Sequence, residues 1–155
     1  MSNLEAERAV VSAILVNPLV IDDIVEILEP SDFSDMQYGL IYGTLRSINA
    51  SDIDVITLAE KLAQKGILDQ IGGMQFLSDI HSDMHTSSNA KTYAKLIKEL
   101  SLIRTLKFKL NDALKTVETS LSYQDSVAQV SSILSEVEVK TESYKTFKEI
   151  VRSEV

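Results

Sequence analysis

Residues 93–117 read YAKLIKELSLIRTLKFKLNDALKTV, and this stretch decides the fold. Tyr93, Leu96, Ile97, Leu100, Ile103, Leu110, Leu114 and Val117 recur at spacings of three, four and seven, the period of a helix with one apolar face. Val127, Val130, Ile133, Leu134 and Val137 repeat the pattern after a turn over Ser120–Tyr123. Two long helices on a short connection make an antiparallel hairpin. Such a hairpin, projecting from a compact body, has too few neighbours to bury both its faces. It is a natural place to dimerise, and a contact between two identical hairpins is isologous. Leu100, Ile103, Leu110, Leu114, Val117, Val127, Val130 and Leu134 are the expected interface residues.

Upstream, nearly everything also reads as helix. Ser2 with Glu5, Ser34 with Gln37, and Thr57 with Glu60 have capping-box spacing. Each precedes an apolar stripe: Ala6, Ala9, Val10, Ala13 and Ile14; Met36, Leu40, Ile41, Leu45 and Ile48; Leu58, Ala59, Leu62 and Ala63. Asn17-Pro18 closes the first helix and opens another, which Pro30 stops. Gly66 suits the residue after a helix end, and Gly72-Gly73 breaks the chain before a helix through Phe76, Leu77 and Ile80. Residues 53–56 are the sole strand candidate. The fold class is therefore all-α: a helical head over 1–91, a dimerising hairpin over 92–139, and a linker with a short terminal helix over 140–155. In that last piece the polar run 138–145 is the linker, and Phe147, Ile150 and Val151 form a stripe that needs a surface to dock on.

Composition narrows the function. With no cysteine there is no disulfide, thiolate metal site or cysteine nucleophile. No run reaches the length of a membrane span, and Met1–Glu5 lacks the basic start of a signal peptide. A soluble cytoplasmic protein is expected. The net charge of −8 disfavours a nucleic-acid clamp. It is unevenly spread: residues 1–90 hold 4 basic and 14 acidic side chains, and residues 91–155 hold 11 and 9. The basic face over 91–117 is either solvated or meets an acidic surface, on a partner or on the head of another subunit. Direct DNA binding is not expected.

Catalytic chemistry finds no support. His81 and His85 have the i, i+4 spacing of two-histidine zinc sites but lack the accompanying glutamate. Asp22, Asp23 and Glu26 lie in early helical turns, where negative charge is favoured. Asp52 and Asp54 are turn formers before a helix. Gly39 and Gly43 permit a close helix crossing. None of the five glycines belongs to a phosphate-cradling loop, and no serine has a base and an orienting group. No catalytic residue, cofactor or metal is assigned.

Laid out in order, the residues resemble the N-terminal domain of bacterial replicative DNA helicases, the DnaB family. Asn3–Val11, Leu28–Phe33 with Leu40-Ile41-Tyr42, Ile53–Ala59, Gly66–Gly73, and Thr86 with Asn89-Ala90 and Tyr93–Glu99 are similar to five family blocks in sequence. The resemblance implies a helical head, a dimerising hairpin and a trimer-of-dimers collar, with primase and helicase loaders as partners. It also implies that the helix at 146–155 packs on the ATPase domain of an adjacent subunit. The sequence departs from the family's full pattern in lacking the motor. Two situations produce such a chain: the amino-terminal piece of a helicase, or a stand-alone phage- or plasmid-encoded homologue that binds a host replicative helicase.

Overall fold

The structure, a computed structural model, describes residues 2–83 and 87–153. Side chains are described up to Val137, apart from Ser87, and beyond it only at Lys145, Glu149 and Arg152. The helices are α1 (Leu4–Val16), α2 (Ile21–Val25), α3 (Met36–Leu45), α4 (Val55–Gln64), α5 (Gly73–Ser82), α6 (Ala90–Thr119) and α7 (Tyr123–Ser153), with single 3-10 turns at Pro18–Val20, Pro30–Asp32, Ala50–Asp52 and Ser87–Asn89. No strand occurs among the described residues, and Val55 and Ile56 open α4 instead.

The chain divides into two units, Met1–Leu102 and Ile103–Val155. The first extends beyond residue 91 because the opening turns of α6 belong to it. Ala90, Ala94, Ile97 and Ser101, at helical spacing, are all buried. The core gathers Val10, Val11 and Ile14 of α1, Ile41, Tyr42 and Leu45 of α3, Leu58 and Leu62 of α4, and Leu77 and Ile80 of α5. Each such side chain contributes roughly 1.5–3 kcal/mol on leaving water. The one-sided stripe expected for α1 is broader in the structure, with nine of its residues buried, Glu7 and Ser12 among them. Alanines at 6, 9 and 13 let neighbouring elements approach from several directions.

The capping positions shift by a residue or more from the sequence expectation. Asn3 rather than Ser2 caps α1, its Oδ1 accepting from the Ala6 amide at 2.9 Å. Asp35 caps α3 through the Gln37 amide at 2.7 Å, and Asp54 caps α4 through the Thr57 amide at 2.6 Å. At α3 and α4 a carboxylate takes the place because it accepts charge-assisted bonds at the positive end of the helix dipole, while at α1 the neutral amide oxygen of Asn3 serves. Gly66 takes φ +71°, as its place after α4 requires, and Gly72 takes φ +103° at the start of α5.

The polar stretch 138–145, read as a linker, is helical: α7 runs unbroken from Tyr123 to Ser153. No glycine or proline occurs after Gly73. Polarity alone does not end a helix when nothing in the backbone interrupts it.

Candidate oligomerisation and partner interface

Two buried carboxylates fix the elements from which the hairpin starts. Glu7 on α1 accepts from the Ser34 amide (2.8 Å), the Ser34 hydroxyl (2.6 Å) and the Asp35 amide (3.1 Å). It thereby ties the first helix to the start of α3. Asp32 accepts from the Ser101 hydroxyl at 2.7 Å, from Lys98 Nζ at 3.0 Å and from the Glu29 amide at 2.8 Å. Lys98 and Ser101 are one turn apart on α6, so Asp32 holds that helix in rotation as well as in place. A buried charge persists only when its acceptor sites are filled, and both carboxylates meet that condition.

Sequence reasoning missed these two groups. Glu7 sits in a first helical turn, where a solvated acid is the ordinary expectation. Nothing in the sequence shows that residue 34 comes back to meet it.

Tyr42 donates to the Leu28 carbonyl at 2.9 Å and stacks at 5.0 Å from Phe33. Burial pushes its phenol well above the ordinary range. Gly39 and Gly43 lie against the turn at Pro30. A Cβ on Gly39 would stand 3.0 Å from the Pro30 carbonyl oxygen, so the close crossing is between α3 and a 3-10 turn.

The second unit has the opposite character, because its apolar residues face outward. Ile103, Leu106, Leu110, Leu114 and Val117 are between 41% and 57% exposed, although they recur at spacings of three and four along one face of α6. Ala113 is the buried residue of this segment. Of the expected interface residues, Val127 and Leu134 are also exposed, and Leu100 and Val130 are half-buried. Leu106, Leu121 and Tyr123 extend the surface beyond that set. Leu106 was legible, being three after Ile103 and four before Leu110. Leu121 and Tyr123 were hidden in a segment read only as a turn. A groove of about 470 Å³ at this end is lined by Val117, Leu121, Tyr123, Val127 and Val130 with intervening serines.

Phe147, Ile150 and Val151 lie on the continuous helix α7, but their side chains fall outside the described residues, as does His85. Among the described residues no group of three His, Cys, Asp or Glu could hold a metal ion. No described helix is long and apolar enough to cross a membrane.

Comparison with known proteins places this architecture. Residues 1–99 match the family model described as DnaB-like helicase N-terminal domain. The replicative DNA helicase DnaC of Bacillus subtilis is 31% identical over 138 residues, which is 88% of this chain and 29% of that protein. The replicative DNA helicase DnaB of Haemophilus influenzae is 32% identical over 66% of this chain and 22% of its own length. The chain thus spans less than a third of these curated relatives. The crystal structure of the N-terminal domain of DnaB helicase from Mycobacterium tuberculosis superposes with a TM-score of 0.80 at 25% identity, covering 88% of this chain and 97% of that one. A DnaB-like replicative helicase whose structure was described with its primase interactions shares the fold, with a TM-score of 0.72 at 22% identity, over 96% of this chain and 34% of that one. With its helical head, its hairpin and a family match across residues 1–99, the chain belongs to the DnaB-like helicase N-terminal domain family.

Proposed function

We propose that this domain is a non-catalytic collar module in DNA replication, which oligomerises through its hairpin and offers the assembled surface to primase or a helicase loader. The observation that carries the reading is the exposed stripe Ile103, Leu106, Leu110, Leu114 and Val117. Continuous apolar faces are rarely left in water unless another surface covers them. An isologous dimer of hairpins covers this one with a second copy of itself. Dimers then join through their heads into a trimer of dimers. The primase assignment is supported by the fold shared with a helicase described together with its primase contacts. Phe147, Ile150 and Val151 supply the apolar spacing for docking on a neighbouring motor domain.

Sedimentation equilibrium across a concentration series tests the reading. The unmodified domain should dimerise, and Leu110→Asp or Leu114→Asp should raise the dissociation constant at least a hundredfold, since each buries a charge in an apolar seam. Both residues are exposed within one chain, so circular dichroism should show unchanged helix content. A monomer at high concentration would sink the proposal. Titration calorimetry with the replicative primase of the same organism tests the partner, and absence of binding to the dimer would remove it.

A further inference from the structure

The head carries a surface that neither its core nor the hairpin uses. We infer that the face formed by Val16, Leu19 and Ile56 docks a basic amphipathic helix of a partner protein. The partner's apolar side chains lie on the aliphatic patch, and its lysines or arginines meet the acidic rim. Three observations converge on this face, and none depends on the hairpin.

The first is an aliphatic patch left in water. Leu19 is 71% exposed, Ile56 65% and Val16 38%. Val16 ends α1, and Asn17-Pro18 turns the chain directly into the 3-10 turn that carries Leu19. That turn packs against the 3-10 turn Ala50–Asp52, and Ile56 follows Asp52 by four residues, in the first turn of α4. Leu58 and Leu62 take α4 into the core. Ile56 stands roughly 200° round the helix from Leu58, on the outward side. A single exposed aliphatic residue is ordinary, whereas several on adjoining elements mark an interaction surface.

The second is the charge around the patch. Residues 9–60 hold nine acidic side chains and one basic, Arg46, and Arg46 is engaged by Glu29. Asp22, Asp52, Asp54 and Glu60 are all exposed. Asp22 comes three residues after Leu19, Asp52 and Asp54 shortly before Ile56, and Glu60 one turn after it. The Thr57 amide holds the Asp54 carboxyl below its ordinary range, so that acid stays ionised at neutral pH. An apolar centre with a rim of one sign selects a partner of the opposite charge and steers its approach. It rejects a second copy of the same face, because like charges would meet across the contact.

The third is the shape of the occupant. No strand occurs among the described residues, so the head has no sheet edge there for an extended peptide to join. A helix instead presents apolar side chains at i, i+3 and i+4 with polar flanks on either side. One such face reaches Leu19 and Ile56 while the flanking cations meet the acids.

A synthetic peptide tests the docking on the full chain. The probe is a helix of about 18 residues with leucine at i, i+3, i+4 and i+7 and lysine elsewhere. Fluorescence anisotropy should show saturable binding, and amide chemical shifts should move at Val16–Val20 and Asp52–Ile56. Leu19→Ser with Ile56→Ser should weaken binding at least tenfold, and Asp22→Asn with Asp52→Asn about tenfold. All four positions are exposed, so circular dichroism should show unchanged helix content. Sedimentation of the serine double variant should match the unmodified chain, which separates this surface from the hairpin. Absence of saturable binding, shifts confined to residues 103–137, or undiminished binding by the serine double variant overturns the assignment. Equal binding of a peptide with glutamate in place of every lysine overturns the partner's basic character.

Discussion

Lys109 and Glu136 meet at 2.6 Å across the hairpin, thirteen residues before Ser122 and fourteen after it. An ion pair centred on the turn fixes the register of α6 against α7. Glu136 pushes the Lys109 ammonium up from its ordinary value by hydrogen bonding to the charged form. Both groups are solvent-accessible, so the pair marks register more than it stabilises. In Glu136→Gln the Lys109 pKa should fall towards that of a free lysine while the melting temperature scarcely changes. Carbon-13 titration of the lysine side chains reads the first, and calorimetry the second.

Asp32 is the anchor whose loss should be felt most. Asp32→Ala would strip partners from the Ser101 hydroxyl, the Glu29 amide and Lys98 at once. The Lys98 side chain keeps 23% of its exposure, which puts the effect below that of a fully enclosed pair. The expected loss is about 2–3 kcal/mol, read from urea unfolding followed by circular dichroism. Ser101→Ala alone should cost about 1 kcal/mol.

Tyr42 gives the alkaline limit of the head. Its folded pKa lies above the unfolded value of about 10. The stabilisation linked to its proton is therefore complete below about pH 10 and is lost as pH rises through the folded value. Tyr42→Phe should weaken the domain by about 1 kcal/mol at neutral pH through the lost bond to Leu28. The same variant should flatten the decline in stability above pH 10, and denaturation profiles at pH 8 to 11 measure both effects.

Gly39 should resist replacement although alanine is the better helix former. Its added methyl would press on the Pro30 carbonyl oxygen at 3.0 Å, a backbone atom with little freedom to yield. Overpacking of this kind costs about 1–3 kcal/mol, which exceeds the roughly 1 kcal/mol gained from propensity. Gly39→Ala should lower the melting temperature, whereas Gly43→Ala, whose methyl would meet only the Pro30 ring at 3.3 Å, should lower it less.

The sequence by itself determined the helices and the kind of surface the hairpin carries. Periodicity and punctuation are local properties, and a stripe such as Ile103, Leu110 and Val117 is visible before any fold is known. The five blocks between Asn3 and Glu99 also pointed to the family that the comparisons establish. The sequence misjudged residues 138–145, since a polar run without a breaker looks the same whether it links two helices or continues one. Tertiary structure alone decided that Glu7 and Asp32 are buried anchors, that Asp35 and Asp54 cap where Ser34 and Thr57 were expected to, and that the α6 stripe is left exposed. The two anchors depend on partners 27 to 69 residues away, the exposed stripe on which surface a neighbour covers, and the two caps on where the first turn of each helix is set. A carboxylate is solvated or buried according to what folds over it, and that is a property of the packed chain.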